Sequence, residues 1–168
     1  MDEQIIVAPG EVPAGFEIMP EGLGFTNHVG PVYWGERGDQ FVLGFRVLDK
    51  HSNPAQICHG GMLMTVMDMG LGIGIANFID KAGFSPTMSL SVDFLAPARV
   101  GDWIESRAHF AHATRSRCTV HGVMIGPDGP VLRANGTFKM PRENNTRFKT
   151  DTLMLPELIR ARRAARQS

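Results

Sequence analysis

Residues 60–79 read GGMLMTVMDMGLGIGIANFI, twenty positions holding one charged side chain, Asp68. A run of this length and greasiness must leave water, either into a bilayer or into a protein core. The bilayer is a poor fit. A lone Asp at the centre of a span costs ~2.5–3.5 kcal/mol on insertion scales, and Gly70, Gly72 and Gly74 dilute the hydrophobicity further. No Lys/Arg cluster flanks the run, and the segments on either side alternate like the strands of a soluble domain. The expectation is therefore a helix from about residue 59 to 80, apolar on every side and buried by protein. Its three glycines each cost ~0.8–1 kcal/mol relative to Ala, so they belong where a sheet or a second helix approaches closely.

The rest of the chain supplies the cover. Residues 1–24, rich in Pro, Gly and acids, read as an irregular arm with one short turn of helix. From Phe25, two β-rich runs, 29–34 and 40–48, flank GERGD and read as a hairpin. DKAGFSP breaks the helix. Beyond it TMSLSVDFLAP sets Met88, Leu90, Val92 and Phe94 against Ser89, Ser91 and Asp93, a period of two. WIESRAHFAHAT, RCTVHGVMI and VLRANGTFKM follow, joined by RS and by GPDGP, a strong turn signal. Two strands, one long helix and four strands joined by short turns describe an α+β fold, an antiparallel sheet curled round one helix. A helix apolar all round needs more cover than one sheet gives, which predicts an oligomer. The domain spans 25–141, and 142–168 is a basic extension, partly helical from PELIRARRAARQS.

Composition narrows the function. A chain of 168 residues can bury a sizeable core without staples. Formal net charge is zero, so no global field points to nucleic acid or an anionic membrane. The charge is uneven: residues 142–168 carry seven Lys/Arg against three acids, which leaves the tail +4 and the body −4. Cys58 and Cys118 fit no zinc or redox spacing and read as buried free thiols of a reducing compartment. The opening MDEQIIVAPGEVPAG shows no signal-peptide pattern, so a cytoplasmic location is the expectation.

The segment Asn53-Pro54-Ala55-Gln56-Ile57-Cys58-His59-Gly60-Gly61, with Asp68 nine residues after His59, resembles the hotdog-fold acyl-CoA thioesterases. The branch is that of phenylacetic-acid-pathway and related enzymes. Thr87 at the start of TMSLSVDFLAPARVGD, and the Pro97 to Gly101 strand ending, extend the likeness over residues 25–141. The resemblance implies a hotdog fold, a CoA thioester as substrate, no cofactor beyond the CoA the substrate carries, and sites built across a dimer interface, with pairing of dimers into tetramers open. It also implies that Asn53 and Thr87 position the thioester or the attacking water.

The chemistry makes sense independently. A helix N-terminus offers free N–H groups and a positive dipole end, and Gly60 and Gly61 place no Cβ before a substrate, which suits an oxyanion site. His59 orients the same carbonyl or fixes the loop. Asp68, walled in by Met67, Met69 and Leu71, is expected to have a pKa raised by desolvation and to serve as base or nucleophile. Gly60 and Asp68 lie eight residues apart, ~12 Å along a helix, so one helix cannot bring both to one carbon. Two copies packed antiparallel can.

Structural readings stand beside these. Taken alone, Asp68 reads as a buried acid bonded to a hydroxyl such as Thr65 or Thr87, and the whole constellation favours catalysis; Asn53 before Pro54 is a turn residue; Gly60 and Gly61 ease a tight entry into the helix. Arg99, Arg115 and Arg117 are candidates for CoA phosphates through their planar forks, or are solvated. Met62, Met64 and Phe78 are expected to line the acyl pocket. His109 and His112, three apart on a strand, point to opposite faces and cannot chelate one metal, and no other histidine pair has ligand spacing. The leading reading is an acyl-CoA thioesterase; a non-catalytic binder of acyl-CoA or an acyl carrier protein, and a hotdog hydratase, are the alternatives.

Overall fold

A computed structural model of the chain describes residues 10–79, 84–140 and Ala164. The elements run β1 (Glu17–Ile18), α1 (Phe25–Val29), β2 (Tyr33–Arg37), β3 (Gln40–Arg46), α2 (Gly60–Gly74), β4 (Thr87–Phe94), β5 (Trp103–Ala113), β6 (Arg117–Gly126) and β7 (Gly129–Lys139). The seven strands form one antiparallel sheet in the order β1-β2-β3-β5-β6-β7-β4, so β4 crosses over to the far edge. Helix α2 lies on one face and touches β3 to β7. This is the α+β arrangement expected, a helix wrapped by a sheet.

Boundaries differ in places. Val29 ends α1 instead of starting a strand, and the hairpin turns at Gly38-Asp39, where Gly38 has φ +56. The arm contributes β1, which pairs with β2. Helix α2 stops at Gly74 and continues as one 3-10 turn, Ile75–Asn77. There Asn77 completes the sheet: its side chain accepts from Phe41 N–H and donates to Phe41 C=O, both at 2.9 Å, beyond the point where β3–β5 pairing ends. Asp80, most of the expected helix break and the whole basic extension apart from the helical Ala164 lie outside the described residues.

The helix is not buried all round within one chain. Met62, Leu63, Val66, Met67, Gly70, Leu71 and Gly74 form the buried face, held by burial of large apolar side chains at ~1.5–3 kcal/mol each. Gly61, Met64, Thr65, Asp68 and Gly72, spaced at i, i+3, i+4, i+7 and i+11, form an opposite stripe that the sheet covers only in part. Two of the glycines answer the close-approach expectation. A Cβ at Gly70 would collide with the Ser106 hydroxyl, and one at Gly74 would lie 2.7 Å from Ala108 Cβ. At Gly72 the nearest atom, on Phe138, would be 3.4 Å away, ordinary contact.

A second, smaller core lies on the other face of the sheet, where the arm folds across β2, β3 and β5. Phe16 packs edge-on against Trp103 with ring centres 5.2 Å apart. Beneath them Glu105, with no exposed surface, accepts from Trp103 Nε1 at 2.9 Å, from Arg37 Nη2 at 2.5 Å and from Arg107 Nη2 at 3.3 Å. Arg46 donates to the carbonyls of Gly101 and Glu11, tying arm to sheet.

Gly70→Ala is expected to lose about 1–3 kcal/mol of stability through overpacking against β5, read from urea unfolding. An unchanged midpoint would mean that helix and strand do not approach so closely in solution.

Candidate functional site

The loop before α2 is built to present the helix N-terminus. Asn53 closes it on itself: its N–H donates to Ile57 C=O at 2.9 Å and its side-chain oxygen accepts from Ala55 N–H at 2.9 Å. Gln56 takes the left-handed conformation, φ 58, which is costly for a residue with a Cβ and here makes the turn back toward the sheet. Cys58 N–H then donates to Ala98 C=O at 2.8 Å, and His59 N–H to His51 C=O at 2.7 Å. His51 is the anchor beneath. Its Nδ1 accepts from Leu48 N–H at 3.1 Å, leaving Nε2–H to donate to Val29 C=O at 2.7 Å, and burial pushes its pKa below the usual histidine range.

His59 caps the helix. Its Nδ1 accepts from Gly61 N–H at 2.9 Å, so that amide, one of the two expected to face an oxyanion, is already bonded. The Gly60 N–H has no partner among the described residues. The absence of a side chain at Gly60 also has an internal cause: an added Cβ would sit 2.9 Å from the tip of the Phe94 ring. Phe94, which lies against the candidate site, is a residue the sequence reading passed over, although the alternation of β4 had placed it on the same face as Leu90 and Val92.

Halfway along α2, Thr87 Oγ1 donates to Asp68 Oδ1 at 2.8 Å. Thr65 bonds instead to Gly61 C=O at 2.8 Å. Asp68 is half-buried, and the wall expected around it does not form within the chain. Successive helical residues point 100° apart, so Met67 and Leu71 are fully buried in the core while Asp68 opens onto the partly covered stripe. Its second oxygen has no partner among the described residues. Thr87 reaches it because of a register shift between Thr87 and Ser89. Strict alternation would have turned Thr87 outward with Ser89 and Ser91.

The remaining candidates spread out. Met62 is buried, whereas Met64 and Phe78 are exposed, at 37% and 39%. Arg99 sits beside the loop, bridged to Ile57, with its N–H bonded to Asp102 at 2.7 Å and its guanidinium in solvent near Asp128. Arg115 and Arg117, both exposed, occupy the β5–β6 turn at the Thr87 end of the sheet. Arg117 pairs with Lys139 and Phe94 with Leu132, so the Phe94 and Arg117 ends stand about 24 Å apart by strand rise. Within one chain, then, Gly60 with Arg99 and Asp68 with Thr87 are two separate candidate half-sites.

Comparison with known proteins bears on the fold and on the family likeness. Residues 55–132, which carry both half-sites apart from Asn53, match the family model of the thioesterase superfamily. The chain has the hotdog fold. The resemblance to the hotdog thioesterases holds. A Pseudomonas aeruginosa protein whose name proposes an esterase is 29% identical over 131 residues, covering 77% of this chain and 98% of that one. The PaaI protein of the Escherichia coli phenylacetic acid degradation operon is 18% identical with a TM-score of 0.63, covering 73% of this chain and 87% of that one. A Bacillus halodurans protein solved with CoA is 23% identical with a TM-score of 0.58, covering 66% of this chain and 74% of that one. Among the described residues of this hotdog chain, no helix is long and apolar enough to cross a membrane.

Burial raises the Cys58 thiol to about 12 and the Cys118 thiol above its usual range, so neither supplies a thiolate near neutral pH. The native protein is expected to give no colour with an aromatic disulfide reagent at pH 7.5, and two thiols on unfolding. A fast native reaction would place one of them at the surface.

Proposed function

We propose that this hotdog protein hydrolyses acyl-CoA thioesters at sites shared between two copies of the chain. The observation that carries the reading is the Asp68–Thr87 pair on a partly covered helix stripe, eight residues from an open Gly60 amide. Neither half-site has the parts for acyl transfer. An antiparallel partner helix laid along the stripe would bring the Asp68 of one copy opposite the Gly60 of the other. The free edge of β4, where Met88 is 52% exposed, supports the pairing, since an open strand edge favours a second strand. That a structural neighbour was solved with CoA supports the substrate class.

On this reading the reaction is an assisted attack of water on the thioester carbonyl. Gly60 N–H, at the positive end of α2, bonds the thioester carbonyl oxygen and gains strength as that oxygen becomes an oxyanion. Thr87 holds one oxygen of Asp68, which leaves the other to take a proton from water as the water oxygen attacks the carbonyl carbon. The tetrahedral intermediate collapses with cleavage of the C–S bond, and the CoA thiolate leaves and is protonated. Water and thioester become free acid and CoA. His59 acts by fixing the helix entry, and Asn53 by closing the loop behind it.

Thiol release from a panel of short, medium, long and aromatic acyl-CoAs tests the reading. The wild type is expected to turn over part of the panel, and Asp68→Asn to lose 10²–10⁴-fold, the usual worth of a positioned base. Binding without turnover over the whole panel would replace hydrolysis by a carrier or sensor role. Gly72→Ala tests the pairing. Its Cβ has room within the chain, so the variant is expected to fold normally but to weaken self-association in sedimentation; a wild type that is monomeric at all concentrations would remove the shared site.

A further inference from the structure

Phe94 is the largest exposed side chain on the inner face of the sheet that core packing does not explain. The residue is 54% exposed, yet its ring tip lies against Gly60, whose N–H is the one first-turn amide of α2 without a partner among the described residues. Along β4 the residues that share its face are Val92 and Leu90, both half-buried, and then Thr87 bonded to Asp68. An apolar track therefore runs down one strand from the open amide toward the carboxylate. Nothing charged interrupts it, because Asp93 turns to the other face and pairs with Arg133 at 2.8 Å. The amide-rich pantetheine arm of CoA gains little from such a track, whereas a hydrocarbon or aryl acyl group is matched to it.

We infer that Phe94 determines which acyl groups this protein accepts, its ring forming the wall against which the acyl moiety lies when the thioester oxygen is on Gly60 N–H. This inference rests on the thioesterase reading above. The ring fills space directly beside the bound carbonyl, so it limits bulk near the reacting carbon. Removing it opens the track to larger groups, and enlarging it narrows the track. Gly60 is part of the same device, since any side chain there would displace the ring.

The test is the ratio of kcat/KM for a long or branched acyl-CoA to that for acetyl-CoA, in wild type, Phe94→Ala and Phe94→Trp, with oligomeric state followed by sedimentation. Phe94→Ala is expected to raise the ratio at least tenfold, chiefly through KM for the larger substrate, and Phe94→Trp to lower it, both with the assembly unchanged. A parallel fall for every substrate, or loss that tracks dissociation of the oligomer, would overturn the inference and leave the ring a structural role. Should one variant fail to fold, the other still gives the sign. An inactive wild type would instead bring down the thioesterase reading and this inference with it, an outcome that the unmutated protein alone reveals.

Discussion

The contact on which the rest of the structure depends is the seating of α2 against β5. Gly70 and Gly74 remove two side chains from one line of the helix, and Ser106 and Ala108 fill the space. This fixes the rotation of the helix about its own axis. With 70 and 74 facing the sheet, the buried face has to include Met62, Leu63, Val66, Met67 and Leu71, and the stripe through Asp68 has to face away. A slip of one residue would turn the helix by 100° and press the carboxylate toward the core. Placement of the Asp68 carboxylate is thus a by-product of two missing methyl groups on the opposite side.

Much of this was written in the sequence because it rests on local periodicity. The lone acid in a greasy run marked the helix and the carboxylate at its middle, and clean alternation with turn punctuation marked the four strands after it. What could not be read there depends on contacts between distant residues. The inward turn of Thr87 comes from an irregularity in β4–β7 pairing that reverses the phase of the alternation at one residue. Capture of the Gly61 amide by His59 is local but needs a ring orientation that no pattern reports. The buried face of α2 looked the same as its open one because both are rich in Met and Gly, and only the sheet distinguishes them. The short strand β1 lay in a segment whose Pro and Gly content hid it.

The outer core shows how the arm becomes part of the scaffold. Trp103, Glu105 and Arg107 alternate outward on β5, and a carboxylate without exposed surface would be costly there if unpaired. The indole and two guanidinium groups bond to it, and Phe16 and Arg37 close over it, with the guanidinium 4.7 Å from the ring centre. The strand that seats the helix on one face is therefore held on the other by a network with fixed hydrogen-bond directions.

The His59 cap bears on a matter apart from stability. A bare helix end offers several converging amides, which is the arrangement that traps phosphate and sulfate, groups with many oxygens to satisfy. Here the imidazole occupies the second amide and leaves the first. A single directed donor serves a single oxygen well and a multidentate anion poorly. The geometry of this helix end consequently suits a group that presents one acceptor better than a multidentate anion such as phosphate.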